Sequence, residues 1–569
     1  MSEPAAALPS GSGSSAHGLL IAALIGIGLL RVATLGVVPL LDRSEARYAE
    51  IGRVMVVTGS WLTPQLEAGT PFWGKPPLHF WATALSLRAF GSSELAARLP
   101  SLLGALAVLL VTQRVARRLR EGLVPLLACL VLASSALFYT LAAQVSIDLT
   151  LAACTTAALG TFLLAQLEPD AKAARRLHGL GFLALGVGLL AKGPVVVALW
   201  VGTLALASVL TRDWRWLRGV PWPSGIAIAA AVSVPWYLAA ERRTPGFLDY
   251  FLVHENFLRF LVSDYGDRYG HAHTLPYGTI WGFALLALLP WSPVMLALAW
   301  RSWRAGALAR LREDPARAFL LAWSLAPLAF FTPSRSVVVT YVLPALSPIA
   351  ILLADALVSR KPGGATAEAS AAIRPGLTPR LLAGDGLVLA GVAVGLVVLA
   401  RRVPVPGAAL VLLGALLAAS VAALWRCARD ARPLALVVAT ALCIPLIDAG
   451  GRSLLAREIG ALASTRELST SVDAIRRERR CELAFFRDVP SSARFYLADE
   501  AQGLEGDPAR LEALAGAPDC RLVALRRRDL RHLDAGALRG LQPVRDFGGY
   551  VLFGNAAAGM QAPAASGAE

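Results

Sequence analysis

The chain is predicted to be a polytopic α-helical membrane protein that carries a small α/β domain near its C-terminal end. Three observations predict it. Hydrophobic residues make up 56% of the 569 and charged residues only 16%, where soluble globular chains carry about 45–50% and about 25%. The apolar residues also come in runs of roughly twenty, the length that crosses a bilayer core; residues 18–40, broken only by Arg31, and the uncharged 220–240 are examples. Finally, from about Arg452 the composition turns soluble. Together these exclude a disordered chain, a collagen-like repeat and a purely soluble enzyme.

Residues 1–17, rich in Ser, Gly, Ala and Pro, read as a disordered cytoplasmic tail. No basic region or obvious cleavage site surrounds the first apolar run, which is therefore expected to persist as a helix. About thirteen spans follow from the length criterion: 18–40, 98–113, 123–141, 147–165, 179–192, 194–211, 219–240, 276–300, 317–332, 337–358, 381–400, 406–425 and 432–450. Lys192-Gly193-Pro194 divides the fifth from the sixth.

With a cytoplasmic N-terminus, every inside loop is basic, as the positive-inside rule requires. These loops hold Arg114/Arg117/Arg118/Arg120, Lys172/Arg175/Arg176, Arg212/Arg215/Arg218, Arg301/Arg304/Arg310/Arg312, Arg360/Lys361 and Arg426/Arg429/Arg432. Arg335 and Arg401/Arg402, in short outside loops, are exceptions. The net charge of +15 is thus accounted for by topology, and nucleic acid is not expected as a partner.

The transmembrane domain is expected over 18–450, with long outer loops at 41–99 and 241–276. A periplasmic α/β domain is expected over 451–556, with a tail at 557–569. Within that domain Cys481–Arg487, Cys520–Leu525 and Gly549–Phe553 read as strands, and Pro508–Ala515 and Asp534–Leu541 as helices. Cys481 and Cys520 each open a strand; a disulfide and two independent small residues are both open readings.

The outer loops hold the chemistry-bearing residues. Ser44 can cap a helix running to about Val57, closed by Thr58-Gly59. On it Glu45 and Tyr48 share a face, as do Arg47 and Glu50; an interfacial helix with surface ion pairs satisfies the same spacing. Lys75, before two prolines, sits on a rigid turn and suits either a headgroup snorkel or a phosphate ligand. Asp148 lies at the outer mouth of an apolar segment, where a carboxylate is usually functional, although a helix-end carboxylate held in water also fits. Lys192 projects at the same boundary, or snorkels. His254 and Arg259, five apart, can address one anion on a bent helix, or can belong to a solvated face. His271-Ala272-His273 has no neighbouring carboxylate at a ligand spacing, so no metal site is predicted. No Walker motif, GxGxxG or DxD pair offers a nucleotide cradle, and no cofactor is expected. Cations at the outer face fit a phosphate-bearing lipid whose leaving phosphate gains charge. Carboxylates fit activation of an acceptor hydroxyl or stabilisation of a cationic sugar transition state.

Four motifs occur in order in the first outer loop: Glu45-Ala46-Arg47-Tyr48-Ala49-Glu50-Ile51, Gly59-Ser60-Trp61-Leu62-Thr63-Pro64, Lys75-Pro76-Pro77-Leu78 and Glu94-Leu95-Ala96-Ala97-Arg98-Leu99-Pro100. Asp148-Leu149-Thr150-Leu151, Lys192-Gly193-Pro194, Pro235-Trp236-Tyr237, Pro245-Gly246-Phe247, Tyr250-Phe251 with His254-Glu255, and Tyr341-Val342-Leu343-Pro344 follow. This series resembles the bacterial aminoarabinose (lipid A) transferase and protein O-mannosyltransferase family, integral-membrane glycosyltransferases of the C superfold, over roughly residues 18–358. The resemblance implies transfer of a sugar from a polyprenyl-phosphate carrier on the outer face of the inner membrane, with inversion. It implies that Lys75 binds the carrier phosphate, with Arg47, Lys192 and Arg259 as further cationic contacts. Tyr48, His254 and Tyr341 would line the donor cavity, and Asp148 would be an active-site carboxylate. The family usually has Asp-Glu where this chain has Ser44-Glu45, and an acidic residue where it has Gly74. Asp42 and Glu45 are the two replacements for the missing catalytic carboxylate, and a phosphate acceptor would need no strong base.

The expected function is therefore transfer of a lipid-linked sugar to an envelope lipid or glycan acceptor within a lipid bilayer. A protein hydroxyl is the second choice of acceptor, and a non-catalytic polyprenyl-lipid-binding or transport protein is the rival. A transporter places charges near the midplane between broken helices; here they gather at the outer mouth.

Overall fold

A computed structural model describes residues 12–42, 44–262, 266–271, 274–307, 309–359, 372–374, 376–498 and 501–559. Of the expected tails at 1–17 and 557–569, residues 1–11 and 560–569 lie outside them, as do the basic pair Arg360/Lys361 and residues Ala272 and His273, whereas residues 12–17 begin the first helix rather than a disordered segment.

Helix follows the apolar runs. α1 (Ser12–Ala33) leads into the first outer loop, which carries α2 (Ser44–Thr58) and α3 (Leu78–Phe90). Then come α4 (Glu94–Leu119), α5 (Val124–Ser134), α6 (Ala136–Leu141), α7 (Ile147–Gln166), α8 (Ala171–Lys192), α9 (Val195–Thr211) and α10 (Trp222–Arg243). After the second outer loop the chain forms α11 (Thr279–Ala287), α12 (Ser292–Arg304), α13 (Pro315–Phe331), α14 (Leu343–Leu357), α15 (Thr378–Ala400), α16 (Gly407–Arg429) and α17 (Pro433–Ala463). Among the described residues eight helical stretches are long and apolar enough to cross a membrane, or nine if the pair α11–α12, bent by 114°, is one span. The thirteen expected segments all fall on helix, but several are shortened or broken. Ser135 is extended between α5 and α6, Gly193-Pro194 separates α8 from α9, and Pro290 lies in the bend between α11 and α12. α8 begins among Lys172, Arg175 and Arg176, so only its later part is apolar. Close helix contacts depend on small residues: a Cβ on Gly186 would lie 2.8 Å from the Ala229 carbonyl, and one on Gly225 would overlap the Phe182 ring.

α17 runs through the expected domain boundary at 450 and bends at Leu455 (φ −123°, ψ 16°). The C-terminal sheet contains β1 (Glu482–Phe485), β2 (Ala501–Gly503), β3 (Arg521–Arg526), β4 (Leu541–Asp546) and β5 (Tyr550–Asn555), ordered β4-β5-β3-β1-β2. β1 is parallel to β2 and β3, while β5 is antiparallel to β3 and β4. Alternation sets the two faces. Leu483, Phe485, Leu522 and Ala524 pack with Leu468, Val472 and Leu497, from the helices Arg466–Glu478 and Ser491–Leu497. Ala484, Val523 and Leu525 pack with Leu511 of the helix Pro508–Ala515 on the other face. The expected helix over Asp534–Leu541 is instead a short 3-10 turn, Ala535–Leu538, followed by β4. Pro543 sits at a register shift of this edge strand, where a missing N–H is tolerated. A disulfide joins Cys481 and Cys520, immediately before adjacent parallel strands.

This domain is docked on the first outer loop. The Ser492 backbone N–H and hydroxyl both donate to Asp42, at 2.8 and 2.7 Å. Tyr496 donates its hydroxyl to Glu94 (2.9 Å) and accepts from the Leu40 N–H (2.8 Å). Arg466 pairs with Glu94 at 3.2 Å and Arg494 with Glu67 at 2.7 Å. Closing the 39-residue interval between the cysteines constrains the unfolded domain by about 3–4 kcal/mol. Replacing both cysteines by alanine is therefore expected to lower the unfolding temperature of this domain by several degrees, read by calorimetry or limited proteolysis.

Candidate functional site

α2 is held from behind by a buried ion pair. Arg98, 1% exposed, donates Nε to Glu45 Oε1 at 2.8 Å and Nη2 to Oε2 at 3.2 Å. Its remaining donors reach the carbonyls of Leu35, Val38 and Pro39. Glu45 also accepts from the backbone N–H groups of Leu41 (3.0 Å) and Val145 (3.3 Å). One carboxylate thus ties the end of the α1 connection to α2, α4 and the start of α7. Further along α2, Gly52 lets the helix meet α3, since a Cβ there would lie 2.8 Å from Thr83. Glu50 is paired with Arg53 by two 2.7 Å bonds and is buried. The helix is accordingly an interior element rather than a surface amphipathic one.

So held, α2 turns Ser44, Arg47 and Tyr48 into a cavity of about 440 Å³. Lys75 enters on the Gly74-Lys75-Pro76-Pro77 turn, donates to the Gly74 carbonyl (2.7 Å) and pairs with Glu255. Gly74 has no room for a side chain: a Cβ would lie 2.8 Å from Phe72 and 3.2 Å from Tyr269. Asp148 stands in the first turn of α7, behind the Ser146 cap, where a helix N-terminus favours a carboxylate. It pairs with Lys192 and accepts from the Thr340 hydroxyl at 2.6 Å. Lys192 is the last residue of α8 and stands 4.3 Å from the centroid of the Tyr341 ring. Gly193 then reverses the chain at φ +80°, with Phe251 so close that any side chain would overlap it.

The second outer loop closes the cavity with a wide π-helical segment, Tyr250–Leu258. Such segments place residues five apart over one another, as the bond from the Arg259 backbone N–H to the His254 carbonyl shows, and the Asn256 side-chain amide adds a bond to the Phe251 carbonyl (2.7 Å). Glu255 lines the cavity and accepts from Arg259 at 3.1 Å as well as pairing with Lys75. Four cations (Arg47, Lys75, Lys192, Arg259) and two carboxylates (Asp148, Glu255) therefore meet among the described lining residues, leaving an excess of two positive charges. Phe257, Phe260, Phe330 and Phe331 form an apolar wall. Together these suit a phosphate head on a hydrocarbon chain.

Of the residues singled out from sequence, Arg47, Tyr48, Lys75, Asp148, Lys192, Arg259 and Tyr341 come together here. Asp42 and Glu45 do not line this cavity. Asp42 holds Ser492 of the C-terminal domain, and burial pushes its carboxyl above the usual range despite the Ser492 bonds. Glu45 holds Arg98. His254 is half-exposed, stacks on Tyr250 and lies 3.7 Å from Asp249, outside the cavity lining. Among the described residues no three metal-ligating side chains converge.

Sequence reading gave no role to Glu255, Thr340 or His79. His79 follows the Lys75-Pro76-Pro77-Leu78 turn, is fully buried, and joins its Nδ1 to the Thr150 hydroxyl at 2.9 Å. It thereby fixes the Lys75 turn to α7 two residues beyond Asp148. Only the chain fold brings these contacts about, and no local spacing announces them. Burial pushes the imidazole down from 6.5 to about 4, against the pull of Asp148. The unfolded chain gains this proton near pH 6.5 and the folded chain only near 4. Its contribution is thus complete above pH 6.5 and declines as pH falls towards 4, by on the order of 3 kcal/mol. Thermal unfolding between pH 7 and 4.5 is expected to show a steeper loss of stability for the wild type than for His79→Gln.

The family model described as dolichyl-phosphate-mannose-protein mannosyltransferase matches residues 20–251. The undecaprenyl phosphate-alpha-4-amino-4-deoxy-L-arabinose arabinosyl transferase of Pseudomonas paraeruginosa is 31% identical over 340 residues, 59% of each chain. A transferase of the same name from Sodalis glossinidius is 32% identical over 317 residues, 54% of this chain and 53% of its own. The chain thus matches little more than half the length of these curated relatives. The crystal structure of ArnT from Cupriavidus metallidurans bound to undecaprenyl phosphate superposes with a TM-score of 0.75 at 22% identity, covering 96% of this chain and 99% of that one. The chain is similar to these aminoarabinose transferases and to the mannosyltransferase family, and it has the fold of the former, the glycosyltransferase C superfold expected from sequence.

Proposed function

We propose that the protein transfers a sugar from a polyprenyl-phosphate carrier to an envelope lipid or glycan acceptor at the outer face of the bacterial inner membrane. The observation that carries this reading is the convergence of Arg47, Lys75, Lys192, Arg259, Asp148 and Glu255 on one cavity with an aromatic wall. The relatives' printed names, which specify an undecaprenyl-phosphate-linked sugar, support it. A periplasmic C-terminal domain and a cytoplasmic N-terminus are supported by the Cys481–Cys520 disulfide, which belongs in an oxidising compartment, and by the docking of that domain beside the cavity.

In this reading the carrier phosphate enters between Lys75, Lys192 and Arg259, while the prenyl chain lies along the phenylalanines. The bond from the anomeric carbon to the phosphate oxygen breaks, and the departing phosphate gains negative charge where the cations already stand. Asp148 orients the acceptor and takes its proton, with Lys192 and Thr340 fixing its direction; attack from the face opposite the phosphate inverts the anomeric carbon. Glu255 holds Lys75 and Arg259 in register before the phosphate arrives. Asp42 and Glu45 act through position, by anchoring the loop that carries Arg47 and Tyr48.

The test is an assay of purified protein with radiolabelled polyprenyl-phosphate sugars and an extracted envelope-lipid fraction. Wild type is expected to move label to lipid. Lys75→Ala and Asp148→Asn are each expected to reduce transfer at least about 100-fold while eluting and unfolding like wild type. Full activity in either removes that residue from the site. No transfer from a broad donor panel, with carrier binding intact, favours a lipid-binding protein.

A further inference from the structure

The first turn of α3 touches three parts of the site at once. It follows the Lys75-Pro76-Pro77 turn directly. Phe80 meets Tyr48 of α2 edge to face, with ring centroids 5.7 Å apart. His79, fully buried, reaches across to α7. Its Nδ1 stands 2.9 Å from the Thr150 hydroxyl oxygen, and that hydroxyl donates to the Ser146 carbonyl at 3.4 Å. Ser146 and Thr150 stand two residues before and two residues after Asp148. Ser146 is held in turn from α4, since its N–H donates to the Ser101 hydroxyl at 3.1 Å, while its own hydroxyl accepts from the Leu149 N–H at 3.3 Å. Neither His79 nor Thr150 lines the cavity.

The hydrogen-bond inventory gives this contact a direction. A neutral imidazole carries one proton. On Nε2 that proton would be a buried donor, and Nε2 has no partner among the described residues. On Nδ1 it is donated to Thr150, whose own proton then faces the Ser146 carbonyl, and only a bare lone pair is left at Nε2. An orphaned buried N–H is the rarer and costlier arrangement, so the chain runs from His79 through Thr150 to Ser146. Lys192 and Thr340 grip the Asp148 carboxylate itself, whereas His79 grips the backbone turn on which Asp148 stands. We infer that His79 is a positioning residue, which sets Asp148 at a fixed distance from the Lys75 turn so that acceptor and carrier phosphate meet in reacting geometry. This rests on the transfer reaction proposed above, in which Lys75 holds the phosphate and Asp148 the acceptor. Small misplacements of such groups cost rate far more than they cost binding.

The experiment uses the full chain in detergent. The transfer assay is read for kcat and KM separately, carrier binding is measured with polyprenyl phosphate, and amide hydrogen exchange is followed over residues 146–151. His79→Leu fills the same space without the bond. It is expected to lower kcat about tenfold or more, with donor KM and carrier binding within about twofold of wild type. Thr150→Val removes the other end of the bond and is expected to do the same; it decides alone if His79→Leu does not fold. His79→Asn, whose amide nitrogen reaches the place of Nδ1, is expected to recover most of the lost kcat. Exchange over 146–151 is expected to quicken in the leucine and valine variants and to stay slow in the asparagine variant. Unchanged kcat in His79→Leu and Thr150→Val overturns the inference, as do equal losses of kcat and carrier binding that asparagine does not relieve. If wild type transfers no sugar, the proposed function fails, and exchange then decides whether His79 holds the Asp148 turn. Unchanged exchange in both variants overturns that placement, and quickening confined to 146–151 supports it.

Discussion

The buried Glu45–Arg98 pair is the constraint on which the rest of the site depends. It gathers three carbonyls of the α1 connection, two backbone N–H groups and three helices around one carboxylate and one guanidinium. Removing one partner of such a pair leaves an unpaired buried charge and costs about 3–5 kcal/mol. Its placement behind α2 explains how a short helix outside the membrane can present Arg47 and Tyr48 in a fixed direction. The C-terminal domain reinforces the same point from the other side, through Asp42 and Tyr496. A soluble domain and a membrane core thus share one joint, at the segment that begins the site.

Two carboxylates hold three of the four cavity cations before any ligand arrives, and the described lining keeps an excess of two positive charges. Asp148 answers Lys192, and Glu255 answers both Lys75 and Arg259. A phosphate entering among them brings the charge that the excess cations lack. Asp148 and Glu255 hold these cations in place in advance, so in the proposed reaction the phosphate meets a preorganised charge. Such preorganisation is the main source of electrostatic catalysis in sites closed to water.

Much of this was legible in the sequence where the physics is local. Apolar length foretold the helices, and the Ser44 and Gly59 signals the extent of α2. Lys75 before two prolines and Asp148 at a helix mouth were recognisable because rigid turns and membrane-edge carboxylates are costly without a purpose. What escaped was non-local. Asp42 and Glu45 have the right charge near the right place, yet their partners, Ser492 and Arg98, lie far along the chain. Glu255 shares a loop with His254, but the wide helical turn sends Glu255 inward and leaves His254 beside Asp249. The disulfide stayed open until adjacent parallel strands brought Cys481 and Cys520 together, and Asp534–Leu541 misled because an edge strand with a proline carries little pattern.

Ser44 presents a hydroxyl to the cavity, and Gly74 is held to glycine by Phe72 and Tyr269, so Asp148 and Glu255 are the carboxylates among the described lining residues. The central claim, that the cations surround a carrier phosphate, is tested most directly by cryo-electron microscopy of the protein with polyprenyl phosphate. The account places the phosphate in contact with Lys75, Lys192 and Arg259, its chain along Phe257 and Phe331. A phosphate resolved away from these three residues, with the Lys75–Glu255 and Lys192–Asp148 pairs intact, would contradict it.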